Sequence, residues 1–175
     1  MKYFLLLFLL IFLCSCKNET SKQVSDYKTI SIKGGPNNQS IDSAMFRIVI
    51  NNNSKRFEYK STKKDNVYFQ LFEKETGNDS ILKAPDFDCI LIDSQFFEFK
   101  NEEVKVFLYS YDLPDVVDEE ENYYFSDKYG IVLSKSIAWL NTSTLYNQEE
   151  LKALQDSIMS DLFKFSNPSP TLIKN

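Results

Sequence analysis

The chain contains no histidine, which removes the commonest general base, the usual activator of a serine or cysteine nucleophile and the commonest zinc ligand together. Three cysteines remain. Cys14 and Cys16 lie two positions apart, a spacing that raises a disulfide or a metal clip, and Cys89 sits alone in the apolar stretch "DCILID". One thiol there can neither close an internal disulfide nor hold a structural zinc, and its neighbours predict an inert buried group. Carboxylate-only catalysis, as in glycoside hydrolysis, needs two acids at a defined separation. The densest acids are Asp115, Asp118, Glu119, Glu120 and Glu121. Their spacing lacks the alternate acids and mid-loop glycine of an EF-hand, so they read as a solvated acidic loop. Gly34-Gly35-Pro36 has neither the lysine nor the frame of a phosphate-binding loop. These residues give no catalytic or metal-ligating set and call for no cofactor.

Around the acidic loop stand Tyr109, Tyr111, Tyr123, Tyr124, Tyr129 and Trp139. Exposed, such side chains would make a binding face for a sugar or protein partner, with Tyr109, Tyr111, Tyr123, Tyr124 and Trp139 as its members. On strands, the same types are cross-strand packing pairs. Twenty lysines and arginines stand against 25 acids, and no basic tract supports a nucleic-acid partner.

The elements that must position these groups are mainly strands. "YKTISIKGGPNN" predicts a short edge strand over Tyr27 to Ile32, broken by Gly34 to Asn38. "MFRIVI" and "RFEYKS" alternate apolar and polar residues about an asparagine-rich turn, a hairpin pattern. "VYFQLFE" continues it from Val67. "FFEFKNEEVKVFLYSY" predicts a second hairpin, with its turn at Asn101 to Glu103 and with Phe107, Tyr109 and Tyr111 on a face that cannot be wholly solvated. "YYFSDKYGIVLSKSIAWL" predicts a further pair, turning at Asp127 to Gly130. Leu151, Leu154, Ile158, Leu162 and Phe165 form a helical stripe, with Asn147 and Glu150 as its capping box and Asn167-Pro168 as its stop. The expectation is an α+β fold, an antiparallel β-sheet of about six to eight strands with one C-terminal amphipathic helix. Residues 27–175 are expected to form a single domain, preceded by a polar tether.

The first residues follow a different logic. Met1, Lys2 and Tyr3 lead into an uncharged run that lasts to Cys16. That is the layout of a secretory signal, and it is too short to span a bilayer comfortably. Leu13-Cys14-Ser15-Cys16 resembles the lipobox of bacterial lipoprotein precursors. The resemblance implies a signal peptide over 1–15, discarded with Cys14, and a lipid on Cys16, followed by a tether over 16–26. It also implies a cell-envelope address, with the membrane as a partner through the lipid. Lys17, in place of an aspartate, favours the outer membrane of a Gram-negative host. Asp42-Ser43-Ala44 and Asp79-Ser80-Ile81 resemble an Asp-Ser/Thr-aliphatic O-glycosylation acceptor, which would make Ser43 and Ser80, in or beside loops, modification sites. A third copy, Asp156-Ser157-Ile158, falls in the expected helix. The functional expectation is an exported, membrane-anchored, non-enzymatic module for an unidentified protein or ligand. Two alternatives remain: a lipid or hydrophobic-ligand carrier with a half-barrel fold, and a carboxylate-dependent hydrolase.

Overall fold

The computed structural model describes residues 22–34, 39–63, 68–111, 121–136, 143–147, 151–161 and 165. Among them the chain forms eleven strands and one helix. In order these are β1 (Gln23–Val24), β2 (Lys28–Gly34), β3 (Gln39–Ile50), β4 (Ser54–Ser61), β5 (Tyr68–Glu75), β6 (Ile81–Lys83), β7 (Asp88–Phe99), β8 (Glu102–Tyr111), β9 (Glu121–Ser126), β10 (Gly130–Ser136), β11 (Ser143–Asn147) and α1 (Lys152–Ser160). Every pairing is antiparallel, and from β2 to β11 each strand pairs with the next in sequence. β11 then pairs with β2, through Tyr146 opposite Ile32, and the ring of ten strands is closed. The sheet thus exceeds the expected six to eight strands. β1, β6 and β11 are short, and their patterns are too brief to read as alternation.

Closure changes the position of β2. The expected edge strand lies between β3 and β11, with Ile30 and Ile32 buried. Within the expected tether over 16–26, Gln23 and Val24 pair with Ile50 and Val49, and Ser25 N–H donates to the Ile48 carbonyl at 3.0 Å. Two ends of the barrel follow. β1 and the turns at 51–53, 76–80, 100–101 and 127–129 mark the tether end. β2, β4, β6, β8 and β10 finish at the opposite, far end.

The inward faces meet in one cluster of sixteen buried side chains, ten of them Phe or Tyr. Rings from opposite walls touch. Phe57 of β4 lies edge-on to Phe125 of β9 at 4.6 Å, Phe72 of β5 meets Tyr123 of β9 at 5.3 Å, and Tyr59 of β4 meets Tyr146 of β11 at 5.7 Å. Hydrogen bonds cross with them: Ile131 N–H donates to Tyr59 Oη at 2.7 Å, and Tyr146 Oη donates to Gln70 Oε1 at 2.7 Å. The lumen is filled by aromatic volume.

A second cluster lies outside the barrel. Leu151, Leu154, Ile158 and Phe165 cover Phe97, Phe99, Val104, Val106, Leu108, Tyr124, Val132 and Leu133. β8 is therefore buried on both faces, as its double apolar alternation requires. The helical stripe packs as expected, with Leu162 outside the described residues. The capping box does not form: Asn147 is held in the β11–β2 ladder opposite Ser31, and the helix starts after Leu151 without a side-chain cap. Gln155 is buried beneath the helix and donates through Nε2 to the Val132 carbonyl at 2.9 Å and the Tyr146 carbonyl at 3.3 Å. No helix among the described residues is long and apolar enough to cross a membrane.

Candidate functional site

The tyrosines do not form an exposed face. Tyr109, Tyr111 and Tyr123 point into the lumen, and Tyr124 points outward beneath the helix, donating from Oη to the Phe165 carbonyl at 2.9 Å. All four are buried. Neighbouring strand positions face opposite sides, so this cluster is divided between two cores, and the packing alternative describes it. Trp139, Cys16 and the acids from Asp115 to Glu120 lie outside the described residues. Glu121 begins β9 and accepts a hydrogen bond from Tyr123 Oη at 2.8 Å. Ser43 lies within β3 rather than a loop, 2.8 Å from Thr62 Oγ1. Ser80 is exposed just before β6, as an acceptor requires. The Cys89 thiol is buried, and burial raises its pKa to about 12, which keeps it protonated and unreactive.

The densest chemistry in the described residues lies inside the tether end. Lys74 sits two places beyond the inward-facing Phe72, and the strand period of two turns it into the lumen. Its side chain is only 4% exposed, with Nζ 2.7 Å from Asp79 Oδ1 and 3.0 Å from both Asp127 carboxylate oxygens. Lys105 Nζ reaches Asp79 Oδ2 at 3.1 Å. Both ammonium groups also lie over the Phe107 ring, at 3.7 Å and 4.5 Å from its centroid. Desolvation pushes the Asp79 pKa up, but the hydrogen bonds from Lys74 and Lys105 outweigh it and hold the carboxyl below its ordinary value. The cluster borders a cavity of about 100 Å³, also lined by Lys55, Glu75, Thr76 and Gly77. Beside it lies an open groove of about 420 Å³, lined by Val24, Ile48 and Ile50 and rimmed by Lys55, Asp127 and Lys128.

Asp79 and Asp127 are two acids converging on one point, the geometry that carboxylate catalysis asks for. A cation stands between them. General acid catalysis needs one carboxyl whose proton is retained, whereas the lysines hold Asp79 ionised. Lys74 ties the β5–β6 loop to the β9–β10 turn across the barrel end. No group of three or more acids or cysteines among the described residues could hold a metal ion.

A second buried ion group lies on the outer wall. Glu58 is fully buried, receiving Arg47 Nε at 2.6 Å, Arg56 Nη2 at 2.9 Å and Tyr27 Oη at 3.1 Å. Arg47 also stacks on the Tyr27 ring, 4.3 Å from its centroid. In sequence Glu58 is an ordinary polar position of an alternating strand; only its register opposite Arg47 exposes its role. Desolvation raises its pKa, and the Arg47 hydrogen bond and charge, with Tyr27 and Arg56, lower it further than burial lifts it. A carboxyl depressed in the folded state contributes stability above its unfolded pKa of about 4.3, and that contribution is lost as pH falls through the folded value. Urea unfolding between pH 6 and pH 3 is expected to show this acid loss, with a shallower slope in Glu58→Gln. That variant is about 2 kcal/mol less stable at pH 7, the reduced size reflecting the partly solvated arginines. Equal slopes in both proteins would remove Glu58 from the acid transition.

No protein-family model matches the chain, and no curated protein or solved structure matches it.

Proposed function

We propose that the chain is an exported lipoprotein, anchored through Cys16 in the outer membrane, whose barrel is a non-enzymatic binding module. The observation that carries this reading is the set of ring contacts across the lumen. Up-and-down barrels that carry apolar ligands leave their interiors open; here aromatic side chains occupy that space, which weighs against the carrier alternative. Lys74, set between Asp79 and Asp127, weighs against the hydrolase alternative.

The position of β1 fits the anchor. Six residues separate Cys16 from Gln23, a reach of at most about 25 Å at 3.3 to 3.6 Å per residue step. A lipid on Cys16 would hold the tether end against the bilayer and turn the far end toward a partner. With two or three acyl chains such anchoring is stable. Cys16→Ala is therefore expected to move the protein from the membrane to the soluble fraction and to abolish incorporation of labelled fatty acid. A Cys16→Ala protein that still takes up the label would end the lipid assignment.

A further inference from the structure

The barrel is closed, yet among the described residues one strand leaves part of an edge unpaired. β7 is paired along its length with β8, but β6 covers only Asp88 to Ile90 on the other side. Leu91 N–H donates to the Ser80 carbonyl at 2.9 Å. Beyond it, from Asp93 to Phe99, no described strand lies against that edge. Ser94, Phe96 and Glu98 are exposed there, Phe96 to 60%.

The turn at the tip fixes which amides point outward. Lys100 and Asn101, with φ of 53° and 62°, form a two-residue hairpin turn between Phe99 and Glu102. Residues flanking such a turn exchange both hydrogen bonds, and the pattern alternates along the ladder. Phe99, Phe97 and Gln95 thus face β8 with their backbone groups. Glu98, Phe96 and Ser94 turn N–H and C=O to the open edge, where Ser94 N–H is held by the adjacent Asp93 Oδ1 at 2.7 Å, an exposed contact that an incoming strand would replace.

We propose that this edge pairs with the same edge of a second copy, giving a twofold antiparallel dimer centred on Phe96. In that register all seven residues are paired. Phe96 meets its own copy and Ser94 meets Glu98, so every outward amide meets an outward amide. Asp93 falls opposite Phe99 and Gln95 opposite Phe97, and no like charges face each other. An axis between Gln95 and Phe96 does neither: it sets Asp93 against Glu98 and outward amides against inward ones. Natural edges are protected by charged side chains, lysine above all, by proline or by bulges; "DSQFFEF" has neither lysine nor proline, and the bulge between Leu91 and Asp93 lies before it. Its two acids lie where the symmetric register leaves them unopposed. The pairing does not depend on Cys16 or on the binding-module reading.

The test is the molar mass of the full chain in a mild detergent, by light scattering across a concentration series. A dimer is expected. Phe96→Lys places like charge on the symmetry axis and raises the dissociation constant by about tenfold or more. Ser94→Pro removes an outward N–H without touching the β8 ladder and acts in the same direction. Near-ultraviolet circular dichroism and the thermal midpoint at low concentration verify that both variants are folded. A wild-type protein that stays monomeric up to about 100 µM overturns the proposal, whether or not the edge takes a strand from another protein. A dimer that neither folded variant weakens overturns it equally.

Discussion

Gly130→Ala is expected to lower the stability of the barrel by about 3 kcal/mol, with a fall in thermal midpoint of about 6 to 12 °C. Gly130 opens β10 with φ of +72°. A side chain in that conformation costs about 1 to 2 kcal/mol by itself. The larger part comes from the lumen. A Cβ at residue 130 would overlap Tyr59 Oη and stand 3.0 Å from Cε2 and Cζ of Phe46. Tyr59 has no freedom to move aside: it is fully buried, its ring lies 4.8 Å from Phe46 and 5.7 Å from Tyr146, and its Oη accepts the Ile131 N–H. Displacing it would also strand a buried amide, at about 1 to 3 kcal/mol. Gly77 provides the control. Its φ is +80°, but nothing lies within 4 Å of the added atom, so Gly77→Ala costs only the backbone part, about 1 kcal/mol. Urea unfolding of both variants checks the difference, and equal losses would mean that Gly130 does not face a packed lumen.

Phe125→Ala is expected to cost about 3 to 5 kcal/mol, the range for deleting a buried aromatic ring. Phe125 is fully buried near the end of β9, 4.6 Å from Phe57 on the opposite wall and 6.0 Å from Tyr109 on the neighbouring strand. Because these rings span the lumen, none can collapse into the space without pulling a wall inward. The variant should therefore keep a cavity, and an apolar cavity of this kind takes up a benzene-sized ligand. A loss below about 1 kcal/mol would mean that the interior repacks freely or was never filled.

Strand character was legible in the sequence wherever alternation ran long enough. Phe46, Ile48, Phe57 and Tyr59 announce the β3–β4 hairpin, and the double alternation of β8 announces a strand with two covered faces. Closure was not legible. Ile32 and Tyr146, which meet where the ring closes, are joined by no local pattern, and β11 carries too few residues to signal a strand. The tyrosines show the same limit from another side: residue type gives an affinity for interfaces and for cores alike, and only parity along closed walls assigns each one. Lys74 was the most informative residue overlooked. Its offset of two from Phe72 was visible, but a lysine between Glu73 and Glu75 reads as a solvated charge until Asp79 and Asp127 are brought over it. Asn147 failed as a helix cap because the β11 ladder competes for the same residue, a tertiary contact with no local trace.

A filled lumen is tested most directly by native mass spectrometry of the full chain released from detergent. The expected spectrum carries the polypeptide with its covalent modifications alone, and Phe125→Ala differs by accepting one small aromatic molecule from solution. A wild-type protein that retains one lipid or other apolar molecule, shed only on collisional activation, would contradict the filled barrel and return the chain to the carriers.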